Sequence, residues 1–146
     1  MDTSFIGHEF TPKDIIVEAG QLRFFAKSTR EKNDIYWSEE AAIAAGHPSL
    51  PAPPTFLFSL DILAPNKDKS ILELLGIDIG KILHAEQRFK YIRQIYAGDK
   101  ITLNTKIADM YEKKGGALQF VVSEITATNQ NNEIVGSMTS SLVVRN

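Results

Sequence analysis

From Ile82 onward the chain is written almost wholly in β-type sequence, and this half constrains the fold most. "ILHAEQRFKYIRQ", "DKITLNTKIADMYE", "ALQFVVSEITATN" and "EIVGSMTSSLVVR" are rich in β-branched and aromatic residues, the types that fit a pleated, half-buried surface. "AGD", "KKGG" and "NQNN" separate them, each a stretch of turn-forming residues. Runs of ten or more residues exceed the usual ~5–6 of a strand and predict a long, curled antiparallel sheet.

The N-terminal half has a different rhythm. "DIIVE" (14–18) is a short β-rich run. Leu22, Phe25, Ala26 and Thr29 then fall at i, i+3, i+4 and i+7, which predicts a helix ending near Arg30. Ser38 is placed to cap a second short helix, Glu39 and Glu40 suit the positive end of its dipole, and Gly46 stops it. "HPSLPAPP" must be extended, because a residue before proline is pushed out of the helical region. "TFLFSLDIL" (55–63) reads two ways: its composition suits a buried strand, yet Pro53-Pro54 are placed for a helix's first turn. "SILELLGI" (70–77) is a further helical turn. Helices come first and strands after, the α+β order rather than alternating βαβ. A long apolar helix must be wrapped by something else, and the curved sheet is the available wrapper. The layout predicted is the hot-dog fold.

A chain of 146 residues, without repeats or a low-complexity linker, is read as a single domain, 1–146. A net charge of −2 with no block of like charges offers no footprint for nucleic acid or anionic membrane. Without cysteine there is no disulfide and no thiol chemistry, and no window approaches 18 uninterrupted apolar residues. The expectation is a cytoplasmic protein. The three histidines, His8, His47 and His84, lie far apart with no ligand spacing, so neither a metal nor any other cofactor is expected. No Gly-rich phosphate loop and no G-x-S-x-G elbow is present.

"LHAEQRFKYIRQIYAGDKI" (83–101) resembles the segment "HGEQ-x-F-x-Y-x-R-P-x-x-x-GD" of MaoC-like dehydratases. "AAIAAGHPSLPAPPTF" (41–56) resembles "A-A-x-x-A-G-Y-x-x-x-x-A-P-P-T-F" of their fatty-acid-synthase-type N-terminal dehydratase branch. "FIGHEF" and "EAGQLRFFAKSTRE" sit where that branch has "IGREF" and an amphipathic first helix, so the similarity runs through nearly the whole chain in order. The resemblance implies a site for acyl thioesters of CoA or acyl carrier protein. The implied reaction is syn hydration of a trans-2-enoyl thioester, or dehydration of its (R)-3-hydroxyacyl form. In the hydratase relatives an Asp and a His five residues apart, in a "GD-x-NP-x-H" loop, hold the water. N–H groups at the start of the central helix polarise the carbonyl, an arrangement in which fixed donors meet developing enolate charge.

Carried over residue by residue, Asp34 matches the loop Asp, with Asn33 in place of the Gly. Five residues on stands Glu39; with one residue deleted, Tyr36 takes the His position. Tyrosine donates a hydrogen bond, but with an ordinary pKa of ~10 it is a poor proton shuttle. The competing reading makes Asp34 a local turn residue bonding its own backbone. His84 is the other acid–base candidate. Strand alternation puts it on one face with Glu86, Arg88 and Lys90, opposite Phe89 and Tyr91; Glu86 at i+2 is ~7 Å away, too far for a direct bond unless a bulge intervenes. Its competing reading is an inert sheet-surface histidine at a subunit contact. Pro53 and Pro54 lack N–H groups, leaving Thr55 and Phe56 as the donors at the helix start. Asp34 and His84 are thus the catalytic candidates, with Tyr36, Thr55, Phe56 and Glu86 positioning substrate or water.

Three functions compete. The first is a hydratase/dehydratase. The second is the acyl-binding subunit of a heteromer whose other subunit supplies Asp and His, as the resemblance to MaoC-like heterodimers implies. The third, a thioesterase using a lone carboxylate, has the dehydratase-type motifs against it. A lone hot-dog domain leaves a sheet edge uncovered, so pairing as a homodimer, or as a heterodimer with a MaoC-like subunit, is expected.

Overall fold

In the computed structural model, which describes residues 2–145, the β-type runs become β2 (Ile82–Tyr91), β3 (Lys100–Lys113), β4 (Leu118–Thr128) and β5 (Ile134–Arg145). With β1 (Lys13–Ile16) they form one antiparallel sheet in the order β1-β3-β4-β5-β2. β2 is therefore an edge strand despite its ten residues. The helices are α1 (Ala19–Ser28), α2 (Glu39–Ala44), α3 (Phe56–Leu63) and α4 (Ile71–Leu75). The Ser38 hydroxyl caps α2 by accepting from the Ala41 N–H, and Gly46 ends it at φ +91°. Ser70 and Glu73 form a reciprocal capping box on α4.

The ambiguous run 55–63 is a helix, and a short one: α3 has eight residues where a long central helix was expected. Its prolines lie outside it rather than in its first turn. Thr55 intervenes as the N-cap, with φ +71° and ψ −8°, a left-handed conformation uncommon for a β-branched residue and costing of order 1–3 kcal/mol. Phe56, Leu57 and Leu60 of α3 are buried against Leu22 of α1 and against Ile101, Leu103, Ile125 and Met138 of the sheet. A second cluster, Ile107, Met110 and Val121, is covered by Phe5, Phe10 and α4 residues Ile71 and Leu74. The inner sheet face is thus roofed at one end by α3 and at the other by the N-terminal turn and α4.

Three register shifts adjust the described strands. They lie between Ile107 and Asp109 in β3, between Ala127 and Thr128 where β4 pairs with β5, and between His84 and Glu86 in β2. The last corrects the alternation read from the sequence. His84 pairs with Leu142 and Glu86 with Ser141, adjacent residues that face opposite ways, so the extra residue Ala85 separates His84 from Glu86. Gln87 pairs with Ser140, Phe89 with Met138 and Tyr91 with Gly136. His84 therefore shares the inner face with Gln87, Phe89 and Tyr91, while Glu86 and Arg88 form an ion pair on the outer face at 2.7 Å.

Candidate active site

Two concavities lie near the residues singled out above, of which Tyr36 lines the first. The first lies at the start of α3, a cavity of about 330 Å³ bordered by Tyr36, Pro53, Pro54, Leu57, Tyr91 and Arg93. Here the Thr55 N–H donates to the Tyr91 hydroxyl oxygen at 2.7 Å, and the Phe56 N–H is turned back onto the Pro53 carbonyl at 3.2 Å. Both backbone donors expected at the helix start are thus engaged within the chain. The phenol of Tyr91 stands where the first free N–H would point, with its own hydrogen left for a ligand. Sequence reasoning passed over Tyr91. The only available signal was its place in "RFKY", opposite a helix start 36 residues away.

The Asp34 turn borders this region. Residues Asp34–Tyr36 form one 3₁₀ turn capped by Asn33, whose side-chain oxygen accepts from the Ile35 N–H. The local side-chain-to-backbone turn bond that the competing reading gives to Asp34 is thus made by Asn33. Asp34 is exposed, and among the described residues no hydrogen bond or ion pair engages its carboxylate. Tyr36 is half-buried and turned into the cavity beside Tyr91.

The second concavity, about 260 Å³, lies between the two hydrophobic clusters. Phe58, Phe10 and Ile71 form its apolar walls, and the Lys13–Asp61 ion pair closes one side. His84 stands beside it, against three of its lining residues, Phe58, Gln87 and Ser140. The imidazole packs on Phe58 with ring centres 5.8 Å apart, and Nε2 lies 3.2 Å from both Gln87 Oε1 and Ser140 Oγ. His47 and His8 serve packing: His47 Nδ1 meets the Tyr96 hydroxyl at 3.1 Å, and His8 sits edge-on to Phe10.

No contact joins the two acid–base candidates among the described residues. Tyr36, two residues from Asp34, lines the cavity at the Tyr91 end of β2, and His84 lies seven residues from Tyr91 along the strand, about 20 Å at ~3.3 Å per residue with one bulged residue discounted. Thr55, Phe56 and Tyr36 group with Asp34. Glu86 groups with neither.

A helix seated on an antiparallel sheet, with a polar helix start facing an edge strand, defines a hot-dog domain. The profile of the FAS1-like dehydratase domain region matches residues 4–138, and the chain belongs to that family, among the MaoC-like hot-dog dehydratases. It is 34% identical to a UPF0336 protein of Saccharopolyspora erythraea, covering 99% of this chain and 92% of the relative. Among solved structures it is similar to the C-terminally truncated HadBC (3R-hydroxyacyl-ACP dehydratase) complex of Mycobacterium tuberculosis, with 28% identity, a TM-score of 0.81, and 98% and 99% of the two chains covered. The ChsH1–ChsH2 complex of the same organism shares the fold at 19% identity and a TM-score of 0.75, covering 94% of this chain and 90% of that one. Among the described residues no helix is long and apolar enough to cross a membrane.

Proposed function

We propose that the chain is a subunit of a hydro-lyase that interconverts (R)-3-hydroxyacyl and trans-2-enoyl thioesters of CoA or acyl carrier protein, with each site built by two hot-dog chains. The observation that carries this reading is that Tyr36, two residues from Asp34, lines the cavity at the Tyr91 end of the edge strand β2, while His84 lies toward the strand's other end. If two β2 edges pair antiparallel, the His84 end of one chain lies beside the Tyr91 end of the other, and both sheets gain a covered edge. Asp34 of one chain and His84 of its partner then divide the proton transfers. One takes the C2 proton as the other protonates the departing C3 hydroxyl, which leaves as water. The Tyr91 hydroxyl, its oxygen held by the Thr55 N–H, donates to the thioester carbonyl as enolate charge develops. Tyr36 borders the same cavity and packs beside the substrate.

A second reading is the acyl-binding subunit of a heteromer, completed by a different MaoC-like chain. It is favoured by the engaged Thr55 and Phe56 N–H groups and by the similarity to two structures that are complexes, HadBC and ChsH1–ChsH2. One assay separates the two. The purified chain alone is incubated with crotonyl-CoA and longer enoyl-CoAs while the enoyl absorbance is followed. Turnover by the isolated dimer supports the first reading. An inactive homo-oligomer that gains turnover only with a MaoC-like partner supports the second. Turnover by a monomer rules out the two-chain site.

A further inference from the structure

The floor of the second cavity is not what a plain hydrocarbon needs. Gln87 of β2 is in register with Ser140 of β5, and Ser140 with Ser123 of β4, so three polar side chains form a row across three adjacent strands. The rows on either side are largely apolar: Phe89, Met138 and Ile125 toward the start of α3, and Leu142 and Val121 toward α4. All three polar residues line the cavity. Ser123 is 6% exposed. The Gln87 amide is anchored by its oxygen near His84 Nε2, yet its buried nitrogen has no hydrogen-bond partner. Buried polar groups are nearly always paired, and a donor left over in a cavity wall is available to a water or a ligand.

We infer that the acyl chains taken by this cavity carry an oxygen, a hydroxyl or keto group, a few carbons beyond the reacting C2–C3 pair, where it accepts from the Gln87 amide. The inference rests on the hydro-lyase reading, because it needs an acyl thioester beside His84. A chain passing His84 and Phe58 enters directly over the row. Water in the apo cavity would satisfy the Gln87 N–H, and a plain alkyl chain would expel that water and leave the donor unpaired. A hydroxyl or ketone replaces the water's hydrogen bond, and the row's serine hydroxyls bond it from either sense. A purely apolar floor would discriminate weakly between the two chains. An unpaired buried donor discriminates against the plain one.

The test is calorimetric binding of decanoyl-CoA against hydroxydecanoyl-CoA and oxodecanoyl-CoA isomers to the oligomeric full-length protein, the oxygen being placed on successive carbons beyond the reacting pair. At least one oxygenated isomer is expected to bind roughly 5- to 150-fold tighter than decanoyl-CoA, the range for one buried unpaired donor. Gln87→Leu should abolish that preference and tighten the plain chain. Ser123→Ala, a smaller change and a safeguard against misfolding of the first variant, should reduce the preference. Equal affinity of all isomers in the unaltered protein overturns the inference and leaves the hydro-lyase reading standing. Absence of binding by every thioester, together with absence of turnover, removes both.

Discussion

The Thr55 N–H donates to the Tyr91 hydroxyl at 2.7 Å, tying the left-handed cap of α3 to the last residue of edge strand β2. The contact couples three features: the strained cap aims an N–H outward, the edge strand supplies the acceptor, and the phenolic hydrogen is left facing the cavity.

Tyr91→Phe removes the acceptor and the relayed donor together. The bond is exposed to water, which can replace the lost acceptor, so stability should fall by about 1 kcal/mol or less. Turnover in the active assembly should fall far more, by roughly 100-fold, with kcat and kcat/KM lowered alike, the signature of a donor used in the transition state. Steady-state hydration kinetics, beside a urea titration of the same variant, make the comparison. A rise in kcat would mean that the phenol obstructs the helix start.

Much of the architecture was readable from local pattern. The four strands, their turns, the Ser38 cap and the Gly46 stop depend on residues close in sequence, where periodicity and capping chemistry act. The site was less readable because its decisive contacts are distant or irregular. No residue type marks Ala85 as a bulge, so alternation put His84 with Glu86 rather than with Gln87. The Thr55–Tyr91 bond spans 36 residues, and the left-handed cap follows from tertiary packing rather than from threonine's own preference. The row formed by Gln87, Ser140 and Ser123 exists only once three strands are in register.

Gly136 is required by close approach rather than by backbone conformation. A Cβ placed there would lie 2.7 Å from the Lys90 carbonyl oxygen, where β2 ends against β5. Gly136→Ala must push the strands apart next to Tyr91, its register partner. A loss of about 1–3 kcal/mol is expected, as for overpacking elsewhere. Urea denaturation should show a lowered midpoint with an unchanged slope, and the Tyr91 contact should loosen with it.

Asp14 and Thr102 are register partners on β1 and β3, and the Thr102 hydroxyl donates to the Asp14 carboxylate at 2.7 Å. That bond, with a smaller contribution from Lys67, holds the Asp14 pKa below its ordinary 3.8. A carboxylate depressed in the folded state stabilises the fold above its unfolded pKa, and this contribution is lost as pH falls through the folded value. Thr102→Val should therefore move the Asp14 titration upward, toward its ordinary range. The stability difference between parent and variant should shrink as pH drops below about 4. NMR titration of the Asp14 side chain reads the first effect, and acid denaturation curves read the second.

The two-chain site makes a quantitative prediction for mixed dimers. Asp34→Asn and His84→Ala should each abolish turnover in their own homodimers, because every site in either lacks one proton-transfer group. In a hybrid dimer, one site takes Asp34 from the His84→Ala chain and His84 from the Asp34→Asn chain, and is complete. The other site lacks both. Half of a randomly reassociated mixture is hybrid, and half of the hybrid's sites are intact, so about one quarter of the parent activity should return. The experiment is co-refolding of the two variants in equal amounts, followed by the enoyl-CoA assay and a size measurement to verify dimers. If Asp34 and His84 acted within one chain, the hybrid would contain no complete site and the mixture would stay inactive. If neither residue takes part, each variant alone would retain turnover, and mixing would change nothing.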